Sequence, residues 1–455
     1  MRKALLAAAV AVAAVAGVIV AVVVSSGSGG DKASPAPTAG SRAASTTATR
    51  TQSSTQSSTS LPAPATSGST ATMTATAPVD TRSVQLPPPP APSSPRRRTL
   101  LVGVVDDALA QSDARIAQAQ VDIARRAAFG AATVFAGWQR GQRRPSANLV
   151  HVLRNVARAT RRDRMRLFVV VWHGMAPGTP ADADERADFA AFAGAVVKAV
   201  PGVRAVVVGN EPNLNTFWRP QFGARGRDLA AIAYADLLAR SYDAIKAANP
   251  EVLVLGGALA PRGGDRPSGF RPTHSPTAFL RDLGTAYRAS GRRRPLMDAF
   301  AMHPYMQASR VSPRVRHPRN TSITIADYPK LVALLHEAFH GTAQPGARLP
   351  VYYTEFGVQT KVPPAKRSFY SDEEASALAD AVGFGQQLEY YHQALTLAFC
   401  QPTVKGIFIF HVFDEADYSG WQSGLYFADG TPKPSLAGFR RAVADLRSGK
   451  LERCR

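Results

Sequence analysis

The feature that most constrains the fold is a regular alternation of strand-like and helix-like segments from Leu100 to the C-terminal region. Short apolar runs predict buried parallel strands, and each run is followed by a stretch with helical spacing of apolar residues. The predicted strands are 101–105, 132–138, 167–172, 203–209, 252–256, 297–302, 351–354 and 407–410. The predicted helices are 113–129, 149–160, 184–200, 229–248, 276–290, 328–340, one that begins with a capping box at 371–374, and 435–447. Eight such units predict an α/β fold, a single (β/α)₈ TIM barrel over residues 99–455.

A doubly wound open sheet is the main alternative, because it has the same alternation of strands and helices. No glycine-rich nucleotide-binding loop follows any of the predicted strands. The count of eight therefore favours the closed barrel.

The first 24 residues read as a targeting segment. Met1-Arg2-Lys3 precedes an unbroken apolar run from Ala4 to Val24, close to the roughly 20 residues that span a bilayer. Ala14-Val15-Ala16 fits a signal-peptide cleavage site, but cleavage there would leave an apolar N-terminus. We therefore expect an uncleaved N-terminal signal anchor in residues 1–24, with a cleaved signal peptide as the alternative.

Residues 25–98 are almost all Ser, Thr, Ala and Pro. Such a segment buries too little apolar surface to fold, and it predicts a disordered linker. The domain at 99–455 is then extracellular, tethered to the cell membrane or, if the signal is cleaved, secreted.

The formal net charge of +21 is consistent with binding to anionic cell-surface polymers or lipid headgroups, but also with a scattered basic surface. No RNA- or DNA-binding motif accompanies the charge, so we expect no nucleic-acid partner. Cys400 and Cys454 are the only cysteines. In an exported protein they predict a disulfide at the N-terminal face of the barrel.

Polar and aromatic residues cluster where the predicted strands end. Barrel enzymes place their catalytic groups at these positions. The set contains Trp138, His173, Asn210, Glu211, His303, Tyr305 and Glu355, with Trp421 in the loop after the last strand. Two glutamates that face each other across one rim are what glycoside hydrolysis requires, one neutral and one charged.

The string Asn210-Glu211-Pro212, with a second glutamate at the end of the seventh strand, resembles the clan of retaining glycoside hydrolases that includes families 5, 10 and 39. The longer string Asn210-Glu211-Pro212-Asn213-Leu214, followed by Phe217-Trp218, is most similar to family 39. The resemblance implies a retaining glycosidase that forms a covalent glycosyl-enzyme on a β-linked glycan. It implies no metal and no cofactor.

The same resemblance implies roles for individual residues. Glu211 would be the general acid/base and Glu355 the nucleophile. Asn210 would bind the sugar 2-hydroxyl, and Tyr305 would hydrogen-bond Glu355. His303 and His173 would line the subsite on the non-reducing side of the scissile bond.

Two positions depart from the pattern of the clan. Gly209 stands where many relatives have a tryptophan, and the eighth strand offers His411 and Phe413 where a sugar-stacking tryptophan is usual. Trp421 could supply the missing ring from its loop, and Trp138 is a further candidate for sugar binding. Trp172 fits core packing as well as it fits a sugar platform. Nothing in the sequence indicates the sugar, endo or exo cleavage, or the oligomeric state.

Two other functions remain open at this point. The segment His336-Glu337-Ala338-Phe339-His340 matches the zinc metallopeptidase pattern, although its helix is expected to pack outside the barrel. A catalytically silent barrel that binds cell-surface polysaccharide is the other alternative. Asp106-Asp107 after the first strand is expected to cap the following helix rather than to act in catalysis.

Overall fold

Eight parallel strands pair in sequence order and form a closed barrel, in which β8 pairs with β1. The structure is a computed structural model, and it describes residues 99–269, 271–371, 380–418, 420–450 and 454. The strands are β1 Leu101–Val105, β2 Ala131–Gly137, β3 Arg166–Trp172, β4 Val203–Val208, β5 Leu253–Leu259, β6 Ala299–Met302, β7 Val351–Phe356 and β8 Val404–Phe410. The predicted (β/α)₈ barrel is therefore confirmed.

One α-helix described by the structure follows each strand and packs outside it. These helices are α1 Ala114–Arg126, α2 Ala147–Arg162, α3 Ala183–Ala199, α4 Leu229–Ala248, α5 Pro276–Ala289, α6 Tyr328–Phe339, α7 Phe384–Cys400 and α8 Ser435–Ser448. Five of them begin after a side chain that accepts a hydrogen bond from the first turn: Asp113, Ser146, Asp182, Asp228 and Ser275. These caps satisfy backbone N–H groups that a helix leaves unpaired at its start.

The core has two layers because both faces of the strands are apolar. The inner layer fills the barrel, where the ring of Phe168 contacts Phe408 at 4.8 Å and Tyr352 at 5.7 Å between centroids. Gly103 makes room for this stack, since a Cβ atom there would lie 2.4 Å from the Phe408 ring. The outer layer lies between the strands and the helices. A barrel packed in this way is solid inside, so a ligand can enter only at its rim.

Several boundaries differ from the prediction in ways that matter for the site. The strand β7 continues through Phe356, so Glu355 lies within the strand rather than after it. The helix α7 begins at Phe384, whereas the predicted capping box at 371–374 falls mostly on residues outside the described part of the chain.

Cys400 and Cys454 form a disulfide bond, with 5.3 Å between their Cα atoms. The predicted pairing is therefore confirmed. Cys400 ends α7 just before β8 begins, so the bond lies near the N-terminal ends of the strands. The predicted signal anchor and linker, residues 1–98, lie outside the described residues. Within the described residues, no helix is long and apolar enough to cross a membrane.

Candidate active site

A cavity of about 830 Å³ opens at the C-terminal ends of the strands. Its wall contains Glu211 and Glu355 together with Asn210, Tyr305 and Trp421. Five of the eight predicted site residues therefore line this cavity.

The backbone around Glu211 is held in an unusual conformation. Gly209 has φ +78° and Glu211 has φ +41°, a left-handed region that a glutamate rarely adopts. The Glu211 N–H donates a hydrogen bond to the Ala258 carbonyl at 2.9 Å, which ties the end of β4 to the end of β5. A strained backbone at one residue persists when the surrounding structure holds it, and such residues cluster at functional sites.

The side chain of Tyr234 on α4 also connects the end of β4 to the end of β5. Its hydroxyl donates to the Val208 carbonyl at 2.8 Å and accepts from the Gly257 N–H at 2.8 Å. A Cβ atom on Gly209 would lie 3.3 Å from the Tyr234 ring. Gly209 therefore sits tightly against Tyr234.

His303 lies between the two glutamates. Its Nδ1 atom is 3.0 Å from Glu211 Oε1 and 3.5 Å from Glu355 Oε2. One carboxylate oxygen of each glutamate and one ring nitrogen of His303 all lie within 4.8 Å of one another. The end of β7 and the loop that follows β4 thus bring two carboxylates to one point, as expected from the sequence.

Neighbouring groups have opposing effects on the pKa of Glu355. Burial raises the pKa of Glu355 and the nearby charge of Glu211 adds to this, whereas His303, the Tyr305 hydroxyl and His411 act to lower it. The Tyr305 hydroxyl donates to Glu355 Oε2 at 3.1 Å. Burial would lower the pKa of His303, but the charges of Glu355 and Glu211 outweigh it and the net direction is upward. An imidazolium at this position would neutralise part of the paired negative charge.

Aromatic rings line both sides of the cavity. Trp172, the last residue of β3, contacts the rings of Phe135 at 5.2 Å and Phe217 at 6.3 Å. On the other side, Trp421 lies 5.0 Å from Tyr305 and 5.6 Å from Phe410, between ring centroids. Flat rings that flank a carboxylate pair provide apolar surfaces on which the faces of sugar rings can pack.

Trp138 and His173 do not line the cavity. Trp138 is 3% exposed, packs edge-on against Phe189 at 5.5 Å, and donates its indole N–H to the Gln142 carbonyl. His173 is buried against Trp218, and burial lowers its pKa to about 4. Each of them follows its strand by one residue and points into the outer core, because successive side chains of a strand face opposite sides.

The cavity also contains residues that were not predicted from the sequence. Phe135 and Phe410 point inward from β2 and β8, and Arg262 follows β5. The guanidinium of Arg262 donates to the Met306 carbonyl at 2.9 Å. Phe135 and Phe410 could have been found by applying the alternation of strand side chains to the exact strand ends, whereas no pattern marks Arg262.

His411 forms a charged network beside the site. Its ring nitrogens lie 3.0 Å from Glu415 Oε1 and 3.9 Å from Asp106 Oδ1. Burial would lower the pKa of His411, but these two carboxylates outweigh it and raise the pKa to about 10. Asp106 also accepts hydrogen bonds from the N–H groups of Ala108 and Val412 and caps the 3₁₀ helix Asp107–Leu109, whereas Asp113 caps the predicted helix α1.

The zinc-peptidase pattern lies away from this cavity. His336 lies on α6 and His340 is its C-cap, with 5.1 Å between their ring centroids, while Glu337 forms an ion pair with Arg281 at 2.7 Å. No third His, Cys, Asp or Glu of the described residues completes a metal-binding group with the two histidines. The glutamate that the pattern needs as a base is thus engaged elsewhere.

No family model matches the sequence, and no curated protein matches it significantly. Solved structures do match. GH5_18 from Streptomyces cattleya in complex with GlcNAc is 16% identical, with a TM-score of 0.51, covering 77% of this chain and 81% of that chain. A variant of the same protein in complex with Manβ1-4GlcNAc is 17% identical, with a TM-score of 0.52 and the same coverage. At this identity the similarity shows a shared (β/α)₈ fold.

Proposed function

We propose that this chain is a glycoside hydrolase that cleaves a β-linked glycan with retention of configuration. The observation that carries the proposal is the pair of carboxylates from β4 and β7, with one oxygen of each within 4.8 Å. Retaining enzymes need carboxyl groups about 5–5.5 Å apart, whereas inverting enzymes need about 6.5–9.5 Å to admit a water molecule. The GH5_18 structures in complex with GlcNAc and with Manβ1-4GlcNAc support a carbohydrate substrate.

In the first step, a carboxylate oxygen of Glu355 attacks the anomeric carbon. The bond from that carbon to the leaving oxygen breaks, and the leaving oxygen takes a proton from the carboxyl group of Glu211. The product is a glycosyl ester of Glu355 and a free alcohol. Tyr305 contributes by donating its hydroxyl to Glu355 Oε2, which favours the ionised form that attacks.

In the second step, Glu211 acts as a base. Its carboxylate takes a proton from water, the water oxygen attacks the anomeric carbon, and the bond to Glu355 breaks. Asn210, which lines the cavity next to Glu211, is the residue we assign to the sugar 2-hydroxyl. Trp172 and Trp421 supply ring faces for the sugars on either side. We assign no metal and no cofactor to this reaction.

Substitution of the two glutamates tests the proposal. Glu355→Gln should reduce hydrolysis by several orders of magnitude, because no covalent intermediate can form. Glu211→Ala should impair substrates with poor leaving groups far more than activated aryl glycosides, which depart with little proton assistance. Azide should rescue Glu211→Ala and yield a β-glycosyl azide.

Two results would contradict the proposal. Product of inverted configuration from the wild type would exclude the retaining mechanism. Absence of turnover over a panel of β-glycosides and polysaccharides, with retained binding to a polysaccharide, would favour the catalytically silent barrel.

We further propose that the protein is exported and held at the membrane by residues 4–24. The charged start, the apolar run and the Ser/Thr/Pro-rich segment that follows support this location. Fractionation of cells that express the full chain should place it in the membrane with Met1 or Arg2 at its N-terminus. Mature protein free in the medium, starting after residue 16, would show that the segment is a cleaved signal peptide.

A further inference from the structure

A second group of titratable side chains lies outside the catalytic cavity. Asp228 precedes α4, His274 lies in the loop before α5, and Asp282 lies on α5. One ligand atom of each residue lies within 4.8 Å of the others, and His274 Nε2 is 3.3 Å from Asp228 Oδ1. A groove of about 750 Å³ between α4 and α5 reaches both Asp228 and Asp282. A solute can therefore reach this group from the outside of the barrel.

The negative charge of this group is only partly compensated, by a hydrogen bond from the Ala231 N–H to Asp228 Oδ1 at 2.7 Å. His274 Nε2 donates to the Gln221 carbonyl at 3.1 Å, so Nδ1 is the ring nitrogen available to a ligand. The side chains of Asp228 and His274 are 2% and 3% exposed, and Asp228 Oδ2 is buried with no hydrogen-bond partner. Within the described residues, no hydrogen bond or salt bridge is made by the carboxylate of Asp282. Its neighbour Arg281 is instead paired with Glu337. Burying a carboxylate oxygen without a partner is costly.

The loop that carries His274 contains a further carboxylate, Asp265, which accepts a hydrogen bond from the Ser275 N–H at 2.6 Å.

The imidazole is held in place by its neighbours. The ring of His274 lies 3.9 Å from the ring of Phe222, between centroids. The His274 backbone N–H donates to the Asn213 carbonyl, and the Asn213 side chain donates to the carbonyls of Ala260 and His274. The loop that carries His274 is therefore fixed before any ligand binds, which lowers the entropic cost of binding.

We propose that Asp228, His274 and Asp282 bind one divalent cation of the Zn²⁺ class. One imidazole and two carboxylates form a ligand set that Zn²⁺ accepts, and water can complete its four-coordinate shell from the groove. The cation would join the loop between β4 and α4 to the loop between β5 and α5. Both loops line the catalytic cavity, through Leu214 and Arg262 respectively. The cation would thus be structural, and it takes no part in the proposed hydrolysis.

Titration of the metal-free full-length protein with ZnCl₂ tests this inference, with calorimetry and thermal unfolding as readouts. We expect one Zn²⁺ per chain and a rise in melting temperature of about 3 °C or more at saturation. Asp228→Asn should weaken binding at least about tenfold, while an asparagine still caps α4. Asp282→Ala should weaken binding to a similar extent, because Asp282 is the second anionic ligand.

Control variants separate this site from the other places where Zn²⁺ could bind. Glu251→Gln changes an exposed carboxylate outside the group and should leave binding unchanged. His336→Gln removes one histidine of the α6 pair, and Glu355→Gln removes a catalytic carboxylate; both should also leave binding unchanged. Zinc binding that persists in Asp282→Ala, or that is lost in His336→Gln or Glu355→Gln, would overturn the proposal. A failure to bind Zn²⁺ at all would overturn it too. Neither readout depends on hydrolysis, so the result is independent of the proposed function.

Discussion

At the scale of single residues, the proposed mechanism depends on keeping Glu355 ionised in a buried position. Burial and Glu211 raise its pKa, and Tyr305, His303 and His411 oppose them. Proximity to a donor or a positive charge favours the ionised form of a carboxyl group, and each opposing group therefore extends activity toward lower pH. The balance can be tested one side chain at a time.

Tyr305→Phe should shift the acidic limb of the pH profile. Loss of the hydroxyl, which donates to Glu355 at 3.1 Å, raises the pKa of Glu355 further. Because the proposed nucleophile must be ionised, kcat/KM should begin to fall at a higher pH in the variant than in the wild type. The measurement is kcat/KM against pH on an activated aryl glycoside. Tyr242→Phe, which removes a hydroxyl near Asp298 outside the barrel, serves as the control and should keep the wild-type profile.

Two tryptophans at neighbouring strand ends should respond differently to truncation. Trp172→Ala removes a ring from the cavity wall and should lower kcat/KM about tenfold or more. Trp138→Ala removes a ring from the outer core and should lower the free energy of unfolding by about 3–5 kcal/mol. Paired measurements of denaturant unfolding and kinetics check both. The reverse assignment of the two effects would place Trp138 in the substrate site.

At the scale of elements, the segment after β8 is held by a buried ion pair. Lys433 Nζ lies 2.6 Å from Asp414 Oδ1, and both side chains are fully buried. Lys433 also donates to the Thr360 hydroxyl and the Gln422 carbonyl, and Tyr370 donates to Asp414. This network joins the loop after β7 to the segment between β8 and α8, which carries Trp421.

Lys433→Met should destabilise the protein by about 3–5 kcal/mol, because it leaves Asp414 buried without a counter-charge. Chemical denaturation measures the change. Arg281→Met provides the control, since Arg281 pairs with Glu337 on the outside of the barrel with both side chains half exposed, and its loss should cost about 1 kcal/mol or less. Equal losses in the two variants would mean that burial does not govern the strength of the Lys433 pair.

At the scale of the whole molecule, the disulfide joins the end of α7 to the C-terminal end of the chain at the face opposite the cavity. The two cysteines are 54 residues apart. Cross-linking a loop of this length lowers the entropy of the unfolded chain, which stabilises the folded state by about 4 kcal/mol in the chain-entropy model. Loss of the disulfide should therefore reduce stability without changing catalysis.

Cys454→Ser should lower the free energy of unfolding by up to about 4 kcal/mol and leave kcat/KM near the wild-type value at 25 °C. Wild-type protein treated with a reductant should match the variant, whereas the variant itself should not respond to the reductant. A loss of activity in the folded variant would show that the bond also positions the cavity.

The sequence by itself determined the barrel and the location of its rim. Eight apolar strands alternating with eight helices leave few other topologies, and the eight-strand closure confirms it. Glu211 and Glu355 could be placed at one rim because parallel strands share their C-terminal edge, and the cavity contains both. The capping side chains Asp113, Ser146 and Asp228 follow local rules of the same kind. These features depend on patterns among residues that are close in sequence, and such patterns can be recognised without the tertiary structure.

Tertiary structure alone decided which strand-end residues face the cavity. A shift of one residue in a strand end turns a side chain from the rim to the outer core, and this separates Trp172 from Trp138. The contact of His303 with both glutamates depends on the spacing of strands β4, β6 and β7. The group of Asp228, His274 and Asp282 joins residues up to 54 positions apart across two loops and a helix. Such contacts arise only when the barrel closes, because no local pattern encodes the distance between side chains on different strands.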